Sequence, residues 1–168
     1  MALKPVENTP TIRNQMSAEE WEARVALAAG HRVLAHYGVN DMTYNHFSLR
    51  VPGEPGHFLV KPTDWMFSEV TASSLHKFDF DGNPIAPHEG RNCIGGALII
   101  HAGLLKARDD LNAVLHTHTP NVMGVSTHKF GLLPISQHSM RFYGELKYHD
   151  FKGFEFDHAM TPRLLKDL

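Results

Sequence analysis

The sequence is short of cysteine, of net charge and of long apolar stretches, and each shortage excludes a class of protein. Cys93 is the only cysteine among 168 residues, so an intrachain disulfide and a cysteine-rich zinc site are both excluded. The formal net charge is only −2, which gives no electrostatic basis for binding nucleic acid or an anionic membrane. No apolar run is long enough to cross a bilayer. We therefore expect a cytoplasmic globular protein that binds neither.

Histidine, by contrast, is abundant, with 13 residues in the chain. Two of them, His116 and His118, follow an apolar run that begins at Leu111. Side chains alternate between the two faces of a strand, so these imidazoles are expected to point the same way. Such a pair can hold one divalent metal ion. At this composition about one His-x-His is expected by chance, so the spacing alone leaves a metal site and two structural histidines both open.

Local patterns predict short strands interspersed with helices. Ser17-Ala-Glu-Glu20 has the form of a capping box at the start of a helix. Residues 1–15 are polar with two prolines and are predicted to be a flexible arm, and residues 16–168 form one domain. The predicted helices cover 18–37, 67–75, 94–107, 121–127 and 160–168, and the predicted strands cover 47–51, 57–60, 77–80, 84–85, 111–116, 132–136 and 153–157. This order favours an α/β fold whose mixed, mostly antiparallel sheet is flanked by helices.

A series of motifs follows in a fixed order from about residue 20 to residue 157. They are Gly38-Val-Asn-Asp-Met-Thr-Tyr-Asn-His-Phe-Ser-Leu-Arg50, Lys61-Pro-Thr63, Glu69-Val-Thr-Ala-Ser-Ser-Leu75, Phe78-Asp-Phe-Asp-Gly-Asn83, Gly95-Gly-Ala-Leu-Ile-Ile-His101, Lys106-Ala-Arg-Asp-Asp110, Ala113-Val-Leu-His-Thr-His-Thr119, Arg141-Phe-Tyr-Gly144 and Tyr148-His-Asp-Phe-Lys-Gly153. In order and spacing they resemble the class II aldolase/adducin family. The resemblance implies a three-layer α/β/α sandwich, assembled as a homotetramer with active sites between subunits.

The same resemblance implies a divalent metal, usually zinc, held by three histidines, with iron or manganese as alternatives. His116 and His118 match two of the family's ligands. The third family histidine lies in an Asn-His-Gly segment after the final helix begins, which this sequence does not reach by Leu168. We therefore expect a domain truncated at its C-terminal end, with His149 as a candidate third ligand. His101 is expected to form hydrogen bonds in the core, behind the metal ligands.

Other positions depart from the family's catalytic pattern. Aldolases of the family place a catalytic Glu four residues before the histidine that matches His101, and this chain has Ala97 there. Tyr143 and Tyr148 are the remaining candidates for proton transfer. If Asp64 faces the pocket it repels a phosphate dianion, which favours a small carbonyl acid or a sugar-like compound as substrate. The candidate substrate-binding residues are Asn45, Ser48, Thr63, Asn92 and Arg141.

These residues support three hypotheses of different classes. The first is a metal-dependent carbon–carbon lyase, aldolase- or decarboxylase-like, in which the metal stabilises an enolate. The second is an adducin-like assembly module that has lost the catalytic acid/base. The third is a non-haem iron oxygenase on the same ligands. Ala97 favours the second hypothesis, and the intact His116–His118 pair favours the first.

Overall fold

Four antiparallel strands form the sheet of the computed structural model, which describes residues 12–86, 94–153 and 158–168. The strands are β1 (His46–Val51), β2 (Glu54–Val60), β3 (His76–Asp79) and β4 (Ala113–His116), and they lie in the order β3-β2-β1-β4. Gly53, at φ +76°, makes the tight turn between β1 and β2, because glycine adopts this left-handed conformation without steric cost. The chain therefore forms its central hairpin locally and adds β4 from a distant segment.

Helices cover both faces of this sheet. On one face α1 (Ala18–His36) buries Leu27 and Ala28 against strand residues such as Leu59. On the other face a helical segment contains a π-helical stretch (Ala97–Ala102) and continues as α2 (Gly103–Ala107), and it packs against β2 and β3. Neighbouring strand residues alternate between the two cores, as the pleat of a strand requires. The predicted α/β/α sandwich is confirmed.

The remaining helices are short. They are α3 (Pro120–Ser126), α4 (Gln137–Met140) and α5 (Thr161–Asp167), with 3₁₀ turns at Ile12–Gln15, Phe67–Glu69 and His158–Met160. Pro120 occupies the first turn of α3, where its missing N–H costs nothing. Within the described residues, no helix is both long and apolar enough to cross a membrane.

Two of the predicted elements are wrong. The helix predicted over 67–75 is a single 3₁₀ turn, since Val70 is extended and the hydroxyl groups of Thr71 and Ser74 bond to nearby backbone instead. The strand predicted over 132–136 is a loop that leads into α4. Pro134 has no N–H to give to a sheet, and Ile135 is 83% exposed.

The bounds of the predicted domain stay a prediction. Residues 1–11 of the predicted arm, and residues 154–157 of the last predicted strand, lie outside the described residues. Half of the predicted capping box is present, because the Ser17 hydroxyl accepts a hydrogen bond from the Glu20 N–H at 3.0 Å. The Glu20 carboxylate does not complete the box and turns into the protein.

That carboxylate belongs to a buried ion network joining α1 to the sheet. Glu20 accepts hydrogen bonds from Arg24 Nε at 2.8 Å and from Lys77 Nζ, on β3, at 2.7 Å. Arg24 is fully buried and also donates to the carbonyl oxygen of Leu75 at 2.6 Å. Charges removed from water are tolerated when they are paired and hydrogen-bonded in this way. The network therefore fixes α1 over β3, at the edge of the sheet.

A further buried cation, Lys61, follows β2 directly. It is 1% exposed, and its ammonium group donates to the carbonyl oxygens of Thr43 at 2.9 Å and Pro62 at 3.2 Å. Burial lowers the pKa of Lys61 to about 8, against the opposing effect of the Asp64 and Glu69 carboxylates. The ammonium group thus ties the segment before β1 to the end of β2 at an electrostatic cost.

The Glu20→Gln variant is expected to lose about 3 kcal/mol of unfolding free energy, because it leaves the buried Arg24 and Lys77 cations without this carboxylate. Urea unfolding at neutral pH measures the loss. Glu19→Gln is the matched control, since Glu19 is exposed on the same helical turn and its change is expected to stay within about 0.5 kcal/mol. Equal effects in the two variants would contradict the role given to the network.

Lys61 is expected to make stability rise with pH between its folded pKa of about 8 and the ordinary 10.5. In that window the unfolded chain holds a proton that the folded chain has released, so the free energy of unfolding increases, by about 3 kcal/mol at most. Urea unfolding across this range should show that Lys61→Met lacks the rise. Lys106→Met, at an exposed lysine, should retain it, and a rise that survives in Lys61→Met would contradict the assignment.

Candidate metal centre at the end of the sheet

The strand pairing gathers three of the sequence motifs at one end of the sheet. In the β1–β4 register His46 lies opposite His116, and in the β1–β2 register Ser48 lies opposite Val60. Because all the pairs are antiparallel, the start of β1 meets the ends of β2 and β4. The loop before β1, the turn after β2 and the histidines after β4 are therefore neighbours.

His116 and His118 converge at this end. Their Nε2 atoms are 2.6 Å apart and their ring planes cross at 85°. His116 is the last residue of β4, while His118 lies two residues beyond it. Both side chains are half-buried. Two imidazole nitrogens that face one point from different directions are a suitable pair of donors for a divalent cation.

The loop before β1 holds His118 on three sides. Its Nδ1 lies 2.6 Å from Asp41 Oδ2, and its backbone N–H donates to Asn45 Oδ1 at 2.9 Å. The Tyr44 ring stacks on the imidazole with a centroid separation of 6.5 Å. Asp41 and Tyr44 were missed from the sequence, since nothing local shows which side chains face a histidine more than 70 residues away.

The His116 ring packs against the first of a series of hydrogen-bonded, buried polar side chains. The His46 ring stacks on it at a centroid distance of 4.7 Å, and His46 Nδ1 is hydrogen-bonded to His101 Nε2 at 3.0 Å. His101 Nδ1 in turn is hydrogen-bonded to Ser48 Oγ at 2.8 Å. The expectation that His101 forms hydrogen bonds in the core is confirmed. His46 was missed, although its spacing from Ser48 on one strand places both on the same face.

Burial keeps these imidazoles neutral. It lowers the pKa of His46 to about 2, with the neighbouring His101 and His116 adding to the effect. Burial also lowers the pKa of His101 to about 3 and brings that of His116 below its ordinary value, the nearby His118 adding to the latter. Metal binding requires a neutral imidazole. At neutral pH the environment therefore keeps His116 in the protonation state that a metal ligand needs.

The predicted substrate-binding residues separate into three groups. Asn45 and Ser48 are buried, and their side chains are bonded to His118 and His101. These two side chains therefore support the histidines in this arrangement, and their contact with substrate stays a prediction. Thr63 is exposed after β2, at the same end of the sheet. Asn92 lies outside the described residues.

At the place of the family's catalytic Glu, the structure has a packed core. Ala97 is fully buried in the cluster between the helix and the sheet. A Cβ atom added to the neighbouring Gly96 would lie 3.1 Å from Nε2 of His46. The imidazole of His46 therefore occupies the space into which a side chain at position 96 would project.

The candidate site residues from the later part of the chain lie in the segment between α4 and α5. Tyr143 is 71% exposed, and Arg141 is also exposed. The hydroxyl group of Tyr148 accepts a hydrogen bond from the Leu132 N–H at 2.9 Å. His149 Nδ1 lies 2.6 Å from Asp167 Oδ2, on α5. These contacts tie the segment after β4 to itself and to the last helix.

Imidazole nitrogens suit a divalent metal, but the two histidines are fewer ligands than a catalytic site needs. His116 and His118 supply two imidazole nitrogens, whereas catalytic zinc sites use three protein ligands. Among the described residues, no group of three or more His, Cys, Asp or Glu side chains is placed to hold a metal ion. In this arrangement His149 does not form such a group with His116 and His118; its Nδ1 contacts Asp167, and its role as third ligand stays a prediction.

Comparison with solved structures gives close matches. A crystal structure of an aldolase II superfamily protein from Pseudomonas syringae matches with a TM-score of 0.88 and 44% identity, over 94% of this chain and 63% of that one. L-fuculose 1-phosphate aldolase from Glaciozyma antarctica matches with a TM-score of 0.69 and 30% identity, over 76% of this chain and 52% of that one.

Comparison with curated sequences gives two kinds of relative. A Caulobacter vibrioides protein, provisionally named a class 2 aldolase, is 40% identical over 95% of this chain and 62% of its own length. Rat alpha-adducin is 38% identical over 86% of this chain and 20% of its own length. This chain thus spans about three fifths of the bacterial relative. Residues 25–166 match the profile of the class II aldolase and adducin N-terminal domain, and the chain belongs to that family.

Proposed function

We propose that the chain is the metal-binding part of a metal-dependent lyase that acts on a small carbonyl acid or a sugar-like compound. One observation carries the proposal: the Nε2 atoms of His116 and His118 converge at 2.6 Å, with Asp41 against the far nitrogen of His118. Family membership supports the reaction class. The third ligand is proposed to come from outside the described residues.

In this proposal His116 and His118 hold a divalent metal, with zinc preferred over iron or manganese. When bound, such a metal polarises a substrate carbonyl and stabilises the enolate that forms as a carbon–carbon bond breaks. The chain's own residues supply the setting. The His46 ring packs against His116, Asp41 holds His118, and Thr63 is exposed at the same end of the sheet for substrate contact.

Proton transfer needs a group other than residue 97. Ala97 is buried and carries no acid, so the ordinary aldol mechanism of the family lacks its carboxylate at this position. Decarboxylation begins without removal of a proton from carbon, which makes it compatible with this site. Tyr143, Tyr148 and Arg141 are exposed, so for them to act on substrate they must meet the histidines of a neighbouring copy. We therefore include homo-oligomeric assembly, as a tetramer, in the proposal.

An adducin-like assembly module is the second candidate. The buried Ala97 favours it, and so does the band of exposed apolar side chains between α3 and residue 151, which includes Phe130, Ile135 and Phe151. Large exposed apolar patches mark interaction surfaces. An assembly module, however, has no need for neutral imidazoles aimed at one point. Metal content therefore separates the two candidates.

The metal proposal predicts near-stoichiometric zinc in the purified chain, or after incubation with zinc and removal of the excess, measured by elemental analysis. The His116→Ala, His118→Ala double variant should fold with an unchanged circular dichroism spectrum and hold only background metal. His128→Ala is the matched control, because His128 is exposed on the segment after β4, and it should keep the wild-type content.

Each other outcome has a definite meaning. Equal zinc in the double variant and the wild type would overturn the site, and no zinc in either would overturn the metal-dependent lyase in favour of the assembly module. Iron in place of zinc in the wild type would transfer the proposal to the oxygenase class. The metal that is found then determines which activity is tested. For a lyase, screens with small carbonyl acids follow the release of carbon dioxide or of a smaller carbonyl product.

A further inference from the structure

The segment from Asp41 to Asn45 has a conformation that its own residues do not favour. Met42 has φ +44°, in the left-handed region that a residue with a Cβ atom rarely adopts. Strained backbone of this kind persists only where surrounding contacts hold it. Here the backbone N–H of Tyr44 donates to the Asp41 carbonyl at 3.0 Å, which closes the turn around Met42.

The contacts that hold this turn come from elsewhere in the fold. The Thr43 carbonyl accepts a hydrogen bond from the buried ammonium group of Lys61. Asn45 is buried and is bonded to the backbone of His118. The second half of the turn is thus fixed, by Thr43 to the end of β2 and by Asn45 to the segment after β4. This arrangement sets the position of Asp41, the one charged side chain in the segment 41–45.

We propose that Asp41 is the positioning residue of this site and sets the tautomer and the orientation of His118. Its Oδ2 lies 2.6 Å from His118 Nδ1. A carboxylate accepts hydrogen bonds and does not donate them, so this contact places the His118 proton on Nδ1. The lone pair is then on Nε2, the atom that faces His116.

This assignment also fixes the protonation of the facing histidine in the metal-free chain. Because Nε2 of His118 is an acceptor, the 2.6 Å contact between the two Nε2 atoms requires the proton on Nε2 of His116. For both rings to offer a lone pair to a divalent cation, the His116 proton must move from Nε2 to Nδ1, which gives the other neutral tautomer. The importance of the tautomer for metal binding rests on the function proposed above, whereas the tautomer itself does not.

The first test therefore uses the metal-free chain. Nitrogen-15 NMR of the imidazole rings, in the presence of a chelator at neutral pH, reports which nitrogen of His118 carries the proton. The wild type is expected to show a protonated Nδ1 and an unprotonated Nε2, and Asp41→Ala is expected to lose that preference. A wild-type His118 protonated on Nε2, or an Asp41→Ala spectrum equal to that of the wild type, would overturn the proposal.

The second test measures zinc affinity by calorimetric titration. Removing a carboxylate that orients a ligating histidine typically weakens metal binding about 10- to 100-fold, and that loss is expected for Asp41→Ala. Asp109→Asn is the control, because Asp109 is exposed on the loop before β4, and its affinity should equal that of the wild type. Unchanged affinity in Asp41→Ala would overturn the positioning role.

The two tests fail separately. If the wild type binds no zinc, the metal-dependent function is wrong, and the NMR spectra still decide whether Asp41 sets the tautomer of His118. If Asp41→Ala alters the fold as well, its circular dichroism spectrum will show this. Asp41→Leu then replaces it, because leucine has a similar shape and offers no hydrogen-bond acceptor. A Leu variant with both the wild-type tautomer and the wild-type affinity would overturn the proposal.

Discussion

The pairing of β1 with β4 is the constraint on which the rest of the site depends. It places His46 opposite His116 and joins segments of the chain about 70 residues apart. A shift of one residue in this register would turn every side chain of β4 to the other face. His116 would then leave the stack on His46, and His118 would lose both Asp41 and Asn45. The site is therefore specified by one strand alignment rather than by any single motif.

Buried polar groups reinforce that alignment on both faces of the sheet. On one face Glu20, Arg24 and Lys77 tie α1 to the edge strand β3. On the other face His101, from the π-helical stretch, reaches His46 and Ser48 on β1. Buried polar groups are costly unless they have partners. Each network thus penalises alternative packings of its helix: the first holds the β3 edge of the sheet and the second holds β1.

The sequence predicted the parts of this arrangement that depend on local pattern or on family motifs. The helix beginning after Ser17, the central strands and the paired histidines were read from periodicity, and the sandwich from its resemblance to the class II aldolase/adducin family. It did not predict Asp41 or His46, because both matter only through contacts across the sheet. Nor did it predict the contact of Ser48 with His101, because a polar residue in a family loop gives no sign of a distant histidine. The strand predicted over 132–136 was wrong because the prediction rested on apolar content, although Pro134 lacks the N–H that a sheet needs.

The changes around Ala97 are better explained as a rearranged site than as a decayed one. A site that has lost its purpose has no reason to keep costly features. Here the costs are visible: a left-handed Met42, a buried ammonium group at Lys61 whose pKa is lowered to about 8, and imidazoles held neutral by burial. The backbone strain and the buried ammonium act on the turn that carries Asp41, and the neutral imidazoles surround His116. Several independent contacts thus hold the residues that would bind the metal. For proton transfer, by contrast, position 97 offers no acid. That asymmetry favours chemistry in which a metal bears the developing charge and proton transfer is secondary.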